Sequence, residues 1–345
     1  MRRLGSLLSL LGLAACAGAY EDLDPQQFAP AIGAGDIALV DVRTAQEYAA
    51  GHIPNAANID WESPDFLKAV RATYPAGTQL AIYCRSGRRS AAAASALSKA
   101  GYKVKNLSGG ILAWQNGGGK VSAYAVEHFV TPVGLPVSIT LIKHGTLAIS
   151  YRGLSIHVDP VGQFGKPTDY AAEFPKADII LVTHEHHDHF DPEAIEALTE
   201  EGRTLLVTNG RCADMLGHGT ALSNGDSLKL PGDILLKAVP AYNYTEGRTM
   251  FHPKGRDNGF VLDLDGFRLY VAGDTEDIPE MASLKDIALA FLPVNQPYTM
   301  TVQQCVNAVK AFGPKVLIPY HFSQTDVSAL PELLPGVDVR LRDMQ

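Results

Sequence analysis

The chain has 345 residues, enough for two domains with separate cores. Its apolar content of 46% and charged content of 19% are those of an ordinary soluble globular protein. A formal net charge of -8 and a pI near 5.7 exclude a general nucleic-acid binder, so small molecules are the expected partners.

Arg2 and Arg3 precede a short apolar run, Leu7 to Leu13, which is too short to span a bilayer as a helix. The run ends in Leu13-Ala14-Ala15-Cys16, which resembles a bacterial lipoprotein signal. The resemblance implies removal of residues 1–15, lipid on Cys16 and export. Ala17 stands where an inner-membrane retention signal has Asp, so the expected location is the periplasmic face of the outer membrane. That lipid anchor is then the expected membrane contact. Beyond Cys16, the odd set Cys84, Cys212 and Cys305 is no disulfide framework. Cys212 and Cys305 read as small buried hydrophobes.

Residues 22–118 alternate strand-like and helix-like stretches. Ile37 to Val40, Leu80 to Tyr83 and Val104 to Leu107 are apolar strands, while Asp65 to Tyr74 and Ser90 to Ala100 read as helices. The alternation predicts an α/β domain with a small parallel sheet and helices on its faces. Cys84 follows a strand, and Arg85-Ser86-Gly87-Arg88-Arg89 leads into a helix at Ser90. Such a loop aims backbone N–H groups and positive charge at the sulfur, which favours a thiolate and an anionic partner. A buried strand-end cysteine beside a solvated basic patch is the bland alternative. Phosphatases of the Cys-x5-Arg type need Arg at the position that Ser90 occupies.

This block resembles a single-domain rhodanese. The resemblance rests on Asp41-Val42-Arg43, Gly51-His52-Ile53-Pro54-Asn55-Ala56, the loop from Tyr83 to Ser90, and Gly109-Gly110-Ile111-Leu112-Ala113-Trp114. It implies that Cys84 is a nucleophile carrying a persulfide. It further implies that Arg85, Arg88 and Arg89 hold an anionic sulfur donor such as thiosulfate, and that Asp41 and Arg43 brace the loop.

Residues 119–136, rich in Gly and Pro, read as a linker, and 137–345 as a second domain. Val137 to Ile142, Thr146 to Tyr151 and Ser155 to Val158 suggest a meander. Asp265-Gly266 between two alternating runs signals a hairpin. Pro192 to Glu201 and Thr301 to Phe312 read as helices, giving two mixed sheets packed face to face with helices outside.

The run His184-Glu185-His186-His187-Asp188-His189 follows the buried strand Ala177 to Thr183. Two histidines one residue apart reach one metal, and the next Asp and His reach a second. Imidazole and carboxylate together suit zinc first, with manganese or iron as alternatives. His187 is out of phase and reads as a solvent-facing residue.

The second domain resembles the metallo-β-lactamase superfamily, an αββα sandwich. It is most similar to the branch of ascorbate-6-phosphate lactonase-like and N-acylphosphatidylethanolamine phospholipase-like hydrolases. Gly273-Asp274-Thr275, Ile318-Pro319-Tyr320-His321-Phe322, His144-Gly145 and Asp159-Pro160 carry the match. The resemblance implies that His184 and His186 bind one metal, that Asp188, His189 and His321 bind another, and that Asp274 bridges them. Relatives often have a further His in a Val-Pro-x-x-His segment, where this chain has Val239-Pro240-Ala241-Tyr242-Asn243. His252 is the candidate replacement, and His144 and Asp159 read as supporting residues. Two cations lower the pKa of a shared water, and the resulting hydroxide attacks an ester, lactone, amide or phosphodiester with Asp188 shuttling a proton. A single-iron persulfide dioxygenase fused to a rhodanese, and a sulfur-relay module with one inactive domain, are the competing expectations.

Overall fold

The computed structural model describes residues 20–34 and 36–344, so the signal expected at Arg2 to Cys16 lies outside the described residues. The first domain is a five-stranded parallel sheet of β1 (Glu21–Leu23), β2 (Ile37–Asp41), β3 (Ala57–Asn58), β4 (Gln79–Tyr83) and β5 (Lys103–Leu107). Its order is β1-β5-β4-β2-β3, which places β4 and the Cys84 loop at the centre. Strands β2 and β4 are apolar without alternation because helices cover both faces. Val70, Ala93 and Leu97, from helices Phe66–Thr73 and Arg88–Lys99, pack on Val40, Leu80 and Ile82. On the other face, Phe28 and Ile111 from helices Pro25–Gly33 and Gly110–Asn116 pack on Leu39, Ala81 and Tyr83.

The segment expected to be a linker is built into the structure. Its β6 (Ala125–Val130) is the edge strand of the next sheet, antiparallel to β7 (Pro136–Lys143). Glu127 on β6 accepts from Arg340 and Arg342 at 2.5 Å each. Ser122 bridges to His52, and the His128 ring, held neutral by burial, donates from Nε2 to the Ala56 carbonyl at 3.1 Å. Polar Glu127 and His128 break the apolar alternation that would have marked the strand, and Pro132 and Gly134 belong to the hairpin turn that leads into Pro136 of β7.

Strands β6 and β7 continue through β8 (Thr146–Tyr151), β9 (Leu154–Val158), β10 (Ile179–Leu181), β11 (Leu205–Thr208) and β12 (Thr220–Ala221) into a seven-stranded sheet. The second such sheet is β13 (Ser227–Lys229), β14 (Leu235–Ala241), β15 (Asp257–Leu264), β16 (Phe267–Val271), β17 (Ile287–Pro293), β18 (Val316–Tyr320) and β19 (Asp338–Val339), in that order. Each sheet begins as an antiparallel meander and ends in parallel strands. Between them Val137, Ile139 and Leu141 meet Phe260, Leu262 and Phe291 in one core. Helices Pro192–Leu198 and Val302–Phe312 cover the outer faces. Asp265 and Gly266 both take positive φ, as the tight β15–β16 hairpin requires. Asp159, His184, Asp274 and His321 all lie just past the carboxyl ends of β9, β10, β16 and β18, so the packing of the sheets gathers them at one edge.

Candidate metal centre and cysteine site

Eight side chains converge at that edge in two groups, His184–His186–His252–Asp274 and His144–Asp188–His189–His321, each with its ligand atoms within 4.8 Å of one another. In the first group His186 Nδ1 lies 3.1 Å from His184 Nε2 and 3.2 Å from His252 Nε2. Asp274 Oδ2 lies 3.4 Å from His252 Nε2 and 4.0 Å from His184 Nε2. A tetrahedral site with bonds of about 2.0–2.1 Å has ligand-to-ligand edges of roughly 3.3–3.4 Å, so this spacing fits one cation. In the second group Asp188 Oδ2 lies 3.2 Å from both His144 Nε2 and His321 Nε2. Asp274 reaches this group as well, at 3.3 Å from His189 and 3.4 Å from His321, and so stands between the two.

The outer partners of the histidines fix which nitrogen is bare. Asp159, fully buried in a left-handed conformation, accepts from Thr183 Oγ1 and His189 Nδ1 at 2.7 Å each. With its hydrogen spent on Asp159, the Thr183 hydroxyl accepts from His184 Nδ1 at 2.9 Å. Asn243 Oδ1 accepts from His252 Nδ1 at 2.6 Å. Each of these three Nε2 atoms can then present a lone pair to a bound cation, the arrangement that orients metal-binding histidines. His189 Nε2 and Asp274 Oδ1 are buried without a hydrogen-bond partner, a costly state for polar atoms that a cation resolves. Burial raises the Asp274 carboxyl, but His321 and His189 outweigh it and hold the group well below the usual carboxylate range. Burial likewise opposes ionisation of Asp188, and hydrogen bonds from His144 and His321 again win. The donor set therefore fits two divalent cations.

One position differs from the sequence expectation. His144 was read as a supporting residue, yet its Nε2 stands at ligand distance in the second group. The turn after β7 holds it in a left-handed backbone conformation, and a lone His at a strand end carries no sign of this. Asn243 occupies the position of the missing histidine and positions His252 instead. His187 is exposed, outside both groups.

In the first domain Cys84 is buried at the carboxyl end of β4. Gly87 N donates to its sulfur at 3.2 Å and Ser90 Oγ at 3.5 Å. Burial raises the thiol, but the Ser90 hydroxyl and the backbone N–H groups of the loop prevail and leave it below the ordinary thiol value. Arg85 and Arg88 are exposed at the loop, whereas Arg89 is tied to Glu47 by two bonds of 2.7 and 2.8 Å. Asp41 and Arg43 form a buried pair at 2.6 Å, and Arg43 also donates to the Gly51 carbonyl. Cys212 and Cys305 are buried free thiols, both pushed up by burial.

Two protein families match, one for each domain. Residues 138–321 match the profile of β-lactamase superfamily domains, and residues 24–117 that of rhodanese-like domains. A crystal structure from Parabacteroides distasonis, described as a metal-dependent hydrolase, is 50% identical over 64% of this chain and all of its own, with a TM-score of 0.62. A metallo hydrolase from Ignicoccus hospitalis is 25% identical over 60% of this chain and 95% of its own, with a TM-score of 0.52. A UPF0173 metal-dependent hydrolase of Pelotomaculum thermopropionicum is 29% identical over 197 residues, 54% of this chain and 85% of that protein.

Proposed function

The chain belongs to the β-lactamase superfamily, with a rhodanese-like domain ahead of its metal centre, and from that premise we propose a hydrolase with two cations joined to a sulfurtransferase. The observation that carries the reading is Asp274, which lies within reach of both histidine groups and belongs to neither alone. Two divalent cations bound there would supply Lewis acidity and lower the pKa of water towards neutrality. His184, His186 and His252 would hold one, and His144, Asp188, His189 and His321 the other, with Asp274 within reach of both. Asp188, ionised and 17% exposed, is placed to accept a proton from water and return it to the leaving group. The substrate has an ester, lactone, amide or phosphodiester bond. The order of the motifs supports the lactonase-like and phospholipase-like branch.

In the first domain the Cys84 thiolate attacks the sulfane sulfur of a donor such as thiosulfate, whose S–S bond breaks to leave a Cys84 persulfide and release sulfite, while Arg85 and Arg88 attract the anionic donor and Ser90 steadies the sulfur. The N-terminal pattern supports export with a lipid on Cys16, which incorporation of labelled palmitate into the wild type but not Cys16→Ala tests. The hydrolase reading is tested with zinc- or manganese-loaded full chain on aryl and alkyl esters. Turnover that falls by orders of magnitude in Asp188→Ala and Asp274→Ala supports it, and undiminished turnover in those variants overturns it.

A further inference from the structure

The surroundings of the metal centre bear on what it takes as substrate, and the following rests on the hydrolase reading above. Phe164 lies at the tip of the 161–168 loop. Its ring is 4.8 Å from that of buried His144 and 5.5 Å from that of exposed His187, so it runs from the centre out to solvent. The loop is held in place. Buried Lys143, next to His144, donates from Nζ to the carbonyls of Gly162 and Lys166 at 2.8 and 2.7 Å, and Asp191 accepts from Gly162 N at 2.8 Å. Beside the other histidine group a second aromatic pair stands. Phe251, adjacent to His252, meets Tyr298 edge to face at 5.0 Å. Asn243 joins this wall to the centre, bonding His252 Nδ1 at 2.6 Å and the Tyr298 carbonyl at 2.8 Å.

The nearby cations point the same way. Arg256 is bound to Asp257 at 2.7 Å and to Glu185 at 3.2 Å, and Arg248 faces Glu276 at 3.6 Å. An anionic substrate would have to break these pairs before it could use either guanidinium. Apolar walls with committed arginines suit a flat, uncharged group.

We propose that the metal centre acts on uncharged esters or lactones bearing an aryl group, and that Phe164 is the wall against which this group packs. The inference is a specificity role for Phe164.

The test uses metal-loaded full chain, with binding and turnover measured separately. In calorimetry, neutral 2-acetonaphthone, a ketone with no hydrolysable bond, binds the native protein while acetone does not. Phe164→Ala weakens that binding by about tenfold and Phe164→Trp retains it. In kinetics, kcat/KM for 2-naphthyl acetate exceeds that for both methyl acetate and 2-naphthyl phosphate by at least about tenfold. Unchanged 2-acetonaphthone binding in Phe164→Ala overturns the proposal, as does a preference for 2-naphthyl phosphate. Phe164-dependent binding without turnover of any ester, lactone, amide or phosphodiester supports the subsite and refutes the hydrolase reading instead.

Discussion

Removal of the Asn243 side chain isolates the role of His252. In the native protein Asn243 accepts from His252 Nδ1 at 2.6 Å, and both residues are buried. Asn243→Ala leaves that N–H without a partner, at a cost of about 1–3 kcal/mol, and frees the ring to turn its Nε2 away from His186 and Asp274. Losing the outer partner of a metal-binding histidine lowers affinity by roughly 10–100-fold, or about 1.4–2.7 kcal/mol. Chelator competition with zinc-loaded full chain measures this, with far-UV circular dichroism as the control for folding. One of the two cations should weaken by that factor while the other holds. Asn243→Asp, which keeps the acceptor, should remain within about threefold of the native affinity. Native affinity for both cations in Asn243→Ala refutes the assignment of His252 as a ligand.

Four further outcomes are expected. In Gly145→Ala the new Cβ stands 2.6 Å from His189 Cε1, so the ring must move, and metal analysis should show one cation per chain retained and one lost. Alkylation of Cys84 by iodoacetamide should fall off with a midpoint below 9.0, because stabilising the thiolate keeps it populated as pH drops below the ordinary thiol value. Ser90→Ala should move that midpoint upward, and a native midpoint at or above 9.0 contradicts the loop's role. Arg89 holds Glu47 ionised down to about 2, so the pair is intact at neutral pH. Glu47→Gln should release Arg89 to the anion and lower the KM for thiosulfate, whereas a raised KM indicates that Glu47 is needed to shape the site. Leu289→Ala, at a fully buried position in β17, should cost about 2–5 kcal/mol in urea unfolding, and a loss below about 1 kcal/mol contradicts the packing described.

What the sequence disclosed follows its periodicity. Fully buried parallel strands such as Leu80 to Tyr83 announce themselves as apolar runs, and the Asp265-Gly266 turn as a hairpin. The short helices Pro25–Gly33 and Gly110–Asn116 were less visible, since one contains Pro30 and the other begins at paired glycines with positive φ. Strand β6 was hidden because its buried Glu127 is satisfied by Arg340 and Arg342, more than two hundred residues away in the chain. Metal-site residues in dense local patterns, His184 through His189, were readable directly. Asp274, His321 and His252 required a family pattern, because only the fold brings them together. His144 escaped because ligation depends on a turn conformation that has no mark in the sequence, and the Glu47–Arg89 pair spans two separate motifs.

The most direct test of the two-cation account is the metal content of purified full chain, measured by mass spectrometry alongside Asp274→Ala. About two zinc or manganese ions per chain are expected, with both bound far more weakly when the shared carboxylate is removed. One iron per chain, with oxygen uptake that depends on a persulfide, would contradict it.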